Sequence, residues 1–341
     1  MSDVQTFLDR LAERTEARRQ AHGPEPTWIA ARRQAGAARF EAMGFPDRRV
    51  EAWKYTDVRA IARGDFILTD SADFSQASAA ALTLPIAAHR LTFVDGNFSA
   101  ALSDLGELPA GVAVLSLSQA LAENHEAVGG PLGRLTGVEF SSFSALNTAF
   151  MEEGAVVRLA PGSVVEKPIL LQFLSRANAQ PVMSHPRVLI EAGARSQATV
   201  IEHHIGEPEA ANFTNLVDEV MLDRGAILTH YKLQEASLKD LHVASIHVEQ
   251  GRDSRYTSFN LNLGGSLVRN DLISELNGEG AEANFYGLFY GQGRQHIDNH
   301  TLANHNAPRT FSNENYKGIL DDRARGVFNG KVVVKRDSQK I

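Results

Sequence analysis

The sequence predicts a mainly β protein: a right-handed parallel β-helix preceded by an α-helical region. From about residue 151, short β-branched runs are separated by glycine turns, and this pattern recurs. The turn glycines are 31, 32, 26 and 29 residues apart; they are Gly162, Gly193, Gly225, Gly251 and Gly280. Such an irregular repeat of strand, tight turn and strand is typical of a solenoid, whose coils must stack to bury their apolar faces.

A β-sandwich is the alternative fold, because it also consists of short strands joined by tight turns. Each turn glycine follows an apolar triplet at a nearly constant offset, as in Val188–Ile190 before Gly193 and Val220–Leu222 before Gly225. This constancy favours the solenoid. We therefore assign residues 151–341 to the β-helix core.

Residues 1–65 are predicted to be an N-terminal helical region. Its first helix has an apolar stripe and a capping-box spacing between Ser2 and Gln5. The residues of the stripe are Val4, Phe7, Leu8 and Leu11. A second helix is predicted from Thr27, with a stop signal at Gly44.

Residues 66–150 are predicted to be a mixed α/β connecting region. Leu91–Val94 is predicted to be a short strand, and residues 95–97, Asp-Gly-Asn, its turn. Leu117–Glu126 is predicted to be a short helix, followed by a loop over Val128–Gly133. The order of these elements in a sheet does not follow from the sequence.

Composition narrows the function classes. The net charge of −7 disfavours a nucleic-acid-binding protein. The 341 residues include no cysteine, so this chain supplies no disulfide and no thiolate ligand. Arginines interrupt the first twenty residues, and no apolar run approaches the roughly 18 residues of a membrane span. These features predict a cytoplasmic protein without a membrane partner.

Histidines are the only candidates for chemistry, because the sequence has no phosphate loop, GxSxG or HExxH motif. His203 and His204 are adjacent in a predicted strand, so they point to opposite faces. His296, Asp298 and His300 share one face and could hold a first-row metal ion weakly. The interpretation as a hydrogen-bonded polar face is favoured, because no fourth ligand is evident. We therefore assign no catalytic, cofactor-binding or metal-binding residue.

Trp53 and Tyr55 form a short aromatic cluster within residues 51–56, Glu-Ala-Trp-Lys-Tyr-Thr. A platform for stacking nucleic-acid bases would need such aromatic side chains together with a basic patch, which is absent from this stretch of sequence. We expect these residues to pack in the core or at a contact between structural regions.

The segment Arg49–Thr56 resembles a signature near the start of SufD-type proteins of the SufB/SufD family. Phe93–Phe98 resembles their next block, and Phe143–Phe150 resembles the entry to the family's core. The most specific stretch runs from Asp298 to Val334. Its matching positions are Asp298, Thr301, His305, Pro308, Ser312, Lys317, Gly318, Leu320, Asp322, Val327, Phe328, Gly330, Val332 and Val334.

This resemblance implies a non-catalytic scaffold subunit for iron–sulfur cluster assembly. Members of the SufD branch form a β-helix, pair with SufB and join the SufC ATPase in one complex. The cluster is expected transiently at the SufB–SufD interface, where SufB supplies a cysteine and the SufD-type chain a histidine from a Cys-Ser-His-Gly-like segment.

That histidine has no counterpart in this sequence, nor do the helices that dock SufC in the family. We therefore expect these 341 residues not to dock SufC and to associate through an open end of the β-helix, which makes a homodimer possible in isolation. Two other functions stay open. One is a secreted-type β-helix polysaccharide lyase or hydrolase, which would carry clustered carboxylates on one coil face. The other is a purely structural solenoid for protein contacts.

Overall fold

A computed structural model describes residues 26–339 together with Phe7, Leu8 and Leu11. These three N-terminal residues are helical and buried, in accord with the predicted apolar stripe. Val4 and the capping pair of Ser2 and Gln5 lie outside the described residues.

Five α-helices follow in the described part from residue 26 onward. They are α1 Thr27–Met43, α2 Arg59–Ala62, α3 Gln76–Leu82, α4 Leu117–Gly129 and α5 Ser142–Phe150. The predicted start at Thr27 and stop at Gly44 are confirmed: Gly44 has φ 65° and donates its N–H to Phe40 O at 2.7 Å. Helix α4 begins with a capping box, but it extends beyond Glu126 into the predicted loop, with a break at Asn124.

Seventeen strands are present in the described residues. They are β1 His89–Val94, β2 Asn97–Phe98, β3 Val112–Ser116, β4 Gly154–Leu159, β5 Ile169–Ser175, β6 Met183–Ser184, β7 Arg187–Ala192, β8 Gln197–Gly206, β9 Phe213–Leu222, β10 Ile227–Glu235, β11 Leu241–Gln250, β12 Arg255–Asn262, β13 Leu267–Leu276, β14 Glu282–Gly291, β15 His296–His305, β16 Phe311–Leu320 and β17 Arg325–Val334. The predicted strand before the turn at residues 95–97 is confirmed as β1.

From β7 onward, successive strands alternate between two sheets, which makes the fold a β-solenoid of about six turns. The first sheet has the order β2-β1-β5-β8-β10-β12-β14-β16, and the second β3-β4-β7-β9-β11-β13-β15-β17. Neighbours along these orders are parallel except β1–β2 and β3–β4. This topology confirms the parallel β-helix and excludes the antiparallel sandwich for the described residues.

The two sheets also include β1 and β3, which lie within residues 66–150. The predicted boundaries at residues 65 and 150 remain a hypothesis about how the chain is organised. What the structure adds is that β1 pairs with β5 in parallel register, Leu91 opposite Leu171.

Alternate residues of each strand point between the sheets, where they form the main apolar core. Near the tight turns this core is made of aliphatic side chains such as Val220, Leu228, Ile246 and Val248. Burying each such side chain contributes about 1.5–3 kcal/mol, which is the main driving force for stacking the coils.

Glycine serves two different purposes at the corners of the solenoid. Three of the five turn glycines have positive φ: Gly162, Gly225 and Gly280. Gly193 and Gly251 do not; in their turns the left-handed residues are Arg195 and Asp253, with φ of 58° and 55°. A Cβ on Gly193 would lie 2.6 Å from Leu159 O, so this glycine is required by a close backbone approach and not by its φ.

Helices α1 and α5 pack together on the outer side of the second sheet. Their backbones approach so closely at Gly36 that a Cβ there would lie 2.7 Å from Ala149 N. Phe40 of α1, Phe143 of α5 and Phe213 of β9 are buried in one apolar cluster with Trp53. The helical region is therefore held against the solenoid by a continuous apolar contact. In the part of the chain that the structure describes, no helix is both long and apolar enough to span a membrane.

Candidate functional site: a polar cluster inside the solenoid

The face formed by His296, Asp298 and His300 binds another part of this chain. Strand β15 places the three side chains on the outside of the second sheet, beside the segment that contains Trp53 and Thr56. Asp298 Oδ2 accepts a hydrogen bond from Arg269 Nη1 at 2.6 Å and another from the Thr56 hydroxyl. His296 Nε2 lies 2.8 Å from Thr56 Oγ1.

These contacts favour the interpretation of this face as a hydrogen-bonded polar surface. Burial opposes ionisation of Asp298, but the hydrogen bond from His300 and the positive charge of Arg269 hold its pKa below the ordinary value. A metal ion would have to compete with Arg269 for the carboxylate. Metal binding by His296, Asp298 and His300 stays a hypothesis with a direct test, given below.

Trp53 is buried, as expected for a packing residue. Its ring lies 5.0 Å from that of Phe143, centroid to centroid, and the guanidinium of Arg269 stands over it. Tyr55 differs, because 65% of it is exposed. Of the two aromatic residues, only Trp53 therefore joins the helical region to the β-helix.

The predicted divergence of His203 and His204 is confirmed. His203 points outward from β8, and its Nε2 lies 2.9 Å from Glu235 Oε2. His204 points inward and stacks on Phe173, with ring centroids 4.6 Å apart. Only His204 reaches the interior of the solenoid.

A cluster of buried polar side chains lies next to His204, in the space between the two sheets. We call it the interior polar cluster; it consists of Glu202, His204, Asp218, His230 and Lys232. Strands β8 and β10 of the first sheet and β9 of the second contribute these residues, all in inward-facing positions. Because both sheets contribute, the cluster lies inside the column and not on its surface.

Glu202 is the centre of the hydrogen bonds in this cluster. Its Oε1 lies 2.9 Å from His230 Nε2, and its Oε2 lies 3.3 Å from His204 Nε2. The other ring nitrogen of His230, Nδ1, is 3.0 Å from the hydroxyl of Tyr256. The carboxylate and the imidazole are thus both held in position by a second partner.

Amide side chains continue the cluster along the column. Lys232 Nζ donates to Asn270 Oδ1 at 3.0 Å, and Asn270 Nδ2 donates to Asn262 Oδ1 and Asn299 Oδ1, each at 3.0 Å. Asn260 Nδ2 also donates to Asn299 Oδ1 at 3.3 Å. Polar side chains therefore continue through several coils of the interior. Nearer the tight turns, the same interior is filled by apolar side chains.

Burial shifts the proton equilibria of these groups strongly. Burial and the neighbouring Glu202 raise the pKa of Asp218 well above its ordinary value. The pKa of Glu202 is lowered. Burial alone would raise it, but the hydrogen bonds from His204 and His230 outweigh the effect of burial. Burial lowers the pKa of Lys232 to about 8. The two carboxyl groups of the cluster therefore have pKa values shifted in opposite directions.

Sequence reasoning missed four of the five residues in this cluster, all except His204. A signal was present: Glu202 has the same strand parity as Val200, and His230 and Lys232 that of Leu228, all inward-facing positions. Polar residues at the parity of the apolar core predict a buried polar site. That they meet depends on the register that places Lys232 beside Glu202, which the sequence pattern does not contain.

Two family models together match almost the whole chain. Residues 5–171 match the SufBD protein N-terminal region, and residues 173–341 match the SufBD core domain of SUF-system FeS cluster assembly. These matches cover both the helical region and the β-solenoid.

Known proteins of this kind are similar to the chain over most of its length. An iron–sulfur cluster assembly SufBD family protein of Synechocystis is 31% identical over 98% of this chain and 76% of the relative. The iron–sulfur cluster assembly protein SufD of Escherichia coli is 26% identical over 87% of this chain and 68% of its own length. The chloroplastic protein ABCI7 of Arabidopsis thaliana is 24% identical over 98% and 71%. The chain therefore belongs to the SufBD family of iron–sulfur cluster assembly proteins.

Proposed function

We propose that this chain is a SufD-type scaffold subunit that pairs with SufB through its β-helix and works in one complex with the SufC ATPase. The observation that carries the proposal is the similarity to SufD of Escherichia coli over 87% of this chain. The absence of cysteine from the 341 residues supports it, because a chain that supplies no thiolate needs a partner for the sulfur ligands of a cluster.

The last two strands offer a surface suited to such a partner. Several of their apolar side chains are exposed by 38–58%; they are Phe311, Ile319, Leu320, Phe328, Val332, Val333 and Val334. Within the described residues, β16 and β17 have one pairing strand each, β14 and β15. We propose that the β-helix of SufB contacts these exposed apolar side chains of β16 and β17.

A non-catalytic role is the second part of the proposal. In the part of the chain that the structure describes, the carboxylates and histidines with the most strongly shifted pKa values are buried; they include Glu202, Asp218, His185 and His242. An active site would need such groups in a cleft that a substrate can enter. We therefore propose that the chain catalyses no reaction and that the iron–sulfur cluster is cargo held between subunits. We assign contact with SufC to no residue of this chain.

Co-purification tests the proposal. The chain is expressed with tagged SufB and with SufC from the same genome, and the material bound to the affinity resin is analysed by native mass spectrometry. We expect SufB to retain the chain in equal amounts, and SufC to be retained only when SufB is present. A folded chain that SufB fails to retain contradicts the pairing, and cleavage of a polysaccharide substrate by the purified chain contradicts the scaffold role.

A pair of matched variants tests the surface. Val332→Asp places a charge on β17, where the native side chain is 49% exposed, and we expect it to abolish retention by SufB. Ile86→Asp changes a side chain that is 46% exposed before β1, and we expect it to leave retention unchanged. Equal retention of both variants would show that SufB binds elsewhere.

A further inference from the structure

We propose that Glu202, Asp218 and His230 form a binding site for a divalent first-row metal ion, Fe²⁺ or an ion of similar ligand preference, inside the solenoid of this chain. One ligand atom from each of the three side chains lies within 4.8 Å of the other two. Two carboxylates and one imidazole, with no thiolate, are a ligand set that suits Fe²⁺, Mn²⁺, Co²⁺ and Zn²⁺ and disfavours Cu⁺.

Asp218 provides an independent indication of a ligand. The residue is fully buried, and neither of its carboxylate oxygens has a hydrogen-bond partner in the described part of the chain. Buried polar atoms almost always have a partner, and an unsatisfied carboxylate in a protein interior is costly. A cation between Asp218, Glu202 and His230 would satisfy these oxygens; the competing arrangement is a proton shared between the carboxyl groups of Asp218 and Glu202.

Residues around the proposed site hold its ligands in position by hydrogen bonds, as is common for metal ligands in proteins. The hydroxyl of Tyr256 lies 3.0 Å from His230 Nδ1 and can accept its proton, which leaves Nε2 free to coordinate. His204 contacts the Glu202 oxygen that does not face His230. Lys232, the nearby cation, donates to Asn270 and thus has a hydrogen-bond partner outside the three ligands.

A small cavity lies beside His204, lined by both polar and apolar side chains. Its volume is about 30 Å³, the space of about one water molecule, and His204, Asn212, Asp240 and His242 are among the residues that line it. His204 also contacts Glu202, so the cavity reaches the residue next to the ligands.

Metal titration of the purified chain tests the proposal. The chain is stripped with a chelator and titrated with Co²⁺ in air and with Fe²⁺ without oxygen. Bound metal is measured by elemental analysis and calorimetry, and the Co²⁺ absorption spectrum reports the ligand geometry. We expect about one ion per chain, a higher melting temperature with metal than without it, and a loss of at least about 100-fold in affinity in Glu202→Gln and Asp218→Asn. These two substitutions keep the side-chain shape, and circular dichroism verifies that both variants fold.

Two further variants separate the site from other candidates. His203→Gln changes the outward neighbour of Glu202 on β8, and His296→Ala/His300→Ala removes both imidazoles of the outer face on β15; we expect neither to change the affinity. If the stripped chain binds no ion, if Asp218→Asn binds as tightly as the native chain, or if a control loses as much affinity, the proposal is wrong. If Asp218→Asn does not fold, the melting temperature of Glu202→Gln with and without Co²⁺ decides. None of these results depends on whether SufB binds the chain.

Discussion

The guanidinium of Arg269 lies over the indole ring of Trp53, 4.7 Å from its centroid. Arg269 also donates to the carbonyl oxygen of Ala52 at 2.9 Å and forms ion pairs with Asp271 and Asp298. One side chain of β13 therefore fixes the segment that precedes α2 to the outer face of the β-helix. The stacking and the ion pairs are all buried or nearly so, which gives them more weight than surface contacts.

Replacement of Arg269 by Met is expected to lower the free energy of unfolding by about 3–5 kcal/mol, because it leaves Asp298 buried without its positive partner. Urea denaturation followed by tryptophan fluorescence measures the change. Arg294→Met, at an exposed arginine, serves as the control and should change stability by less than about 0.5 kcal/mol. Equal effects of the two substitutions would argue against a structural role for the Arg269 contacts.

Replacement of Glu219 by Ala is expected to be similarly costly. Glu219 Oε1 accepts a hydrogen bond from Arg187 Nε at 2.9 Å and from Gly133 N at 2.7 Å, and both charged side chains are buried. Removing the carboxylate leaves a buried guanidinium, at a cost of about 3–5 kcal/mol in the free energy of unfolding.

The half-exposed ion pair of Arg158 and Glu191 provides the matched control for Glu219. Glu191→Ala should cost less than about 1 kcal/mol in the same denaturation experiment, because solvent screens that pair. A loss in Glu219→Ala as small as that in Glu191→Ala would contradict the prediction.

Substitution of Gly36 by Ala tests the contact between α1 and α5. In an isolated helix this change stabilises by about 1 kcal/mol. Here the new Cβ would lie 2.7 Å from Ala149 N and 2.8 Å from Ala145 O, so the helices must separate. We expect a net loss of about 1–3 kcal/mol in the free energy of unfolding.

Gly137→Ala is the control for Gly36, because no atom lies within 4 Å of its added Cβ. Its effect should stay within about 1 kcal/mol of zero. A stabilising effect of Gly36→Ala in thermal denaturation would show that the two helices do not pack as described.

Stability should fall as the pH drops below about 6.5, the ordinary pKa of histidine. Burial lowers the pKa of His185 to about 3, so between pH 6.5 and 3 the unfolded chain binds a proton that the folded chain does not. The free energy of unfolding then decreases by up to about 1.4 kcal/mol per pH unit for this residue. His204 and His247, with pKa values lowered to about 4 by burial, add to the effect.

His185→Gln isolates one contribution to this pH dependence. Between pH 6.5 and 5.5, the variant should lose about 1 kcal/mol less stability than the native chain in urea denaturation. His125→Gln, at an exposed histidine, should follow the native curve. Parallel curves for all three proteins would mean that His185 is protonated in the folded state.

The recurring strands and turns of this chain were predictable because their causes are local. β-Branched runs, the offset of apolar triplets from the turns, and the stop at Gly44 depend on neighbours in sequence. The same is true of the opposite directions of His203 and His204, which follow from the period of a strand. The role of Gly193 was not predictable, because the atom that excludes a side chain there, Leu159 O, belongs to the preceding coil.

By itself, the sequence determined the class of fold, the family and the lack of any cysteine ligand. The tertiary structure alone decided that Arg269 reaches Trp53, although the two are far apart in sequence, and that Glu202, Asp218 and His230 meet between two sheets. The physical reason is that strand register and the pairing of coils depend on the packing of the whole column, whereas strand period and turn preference depend on a few adjacent residues.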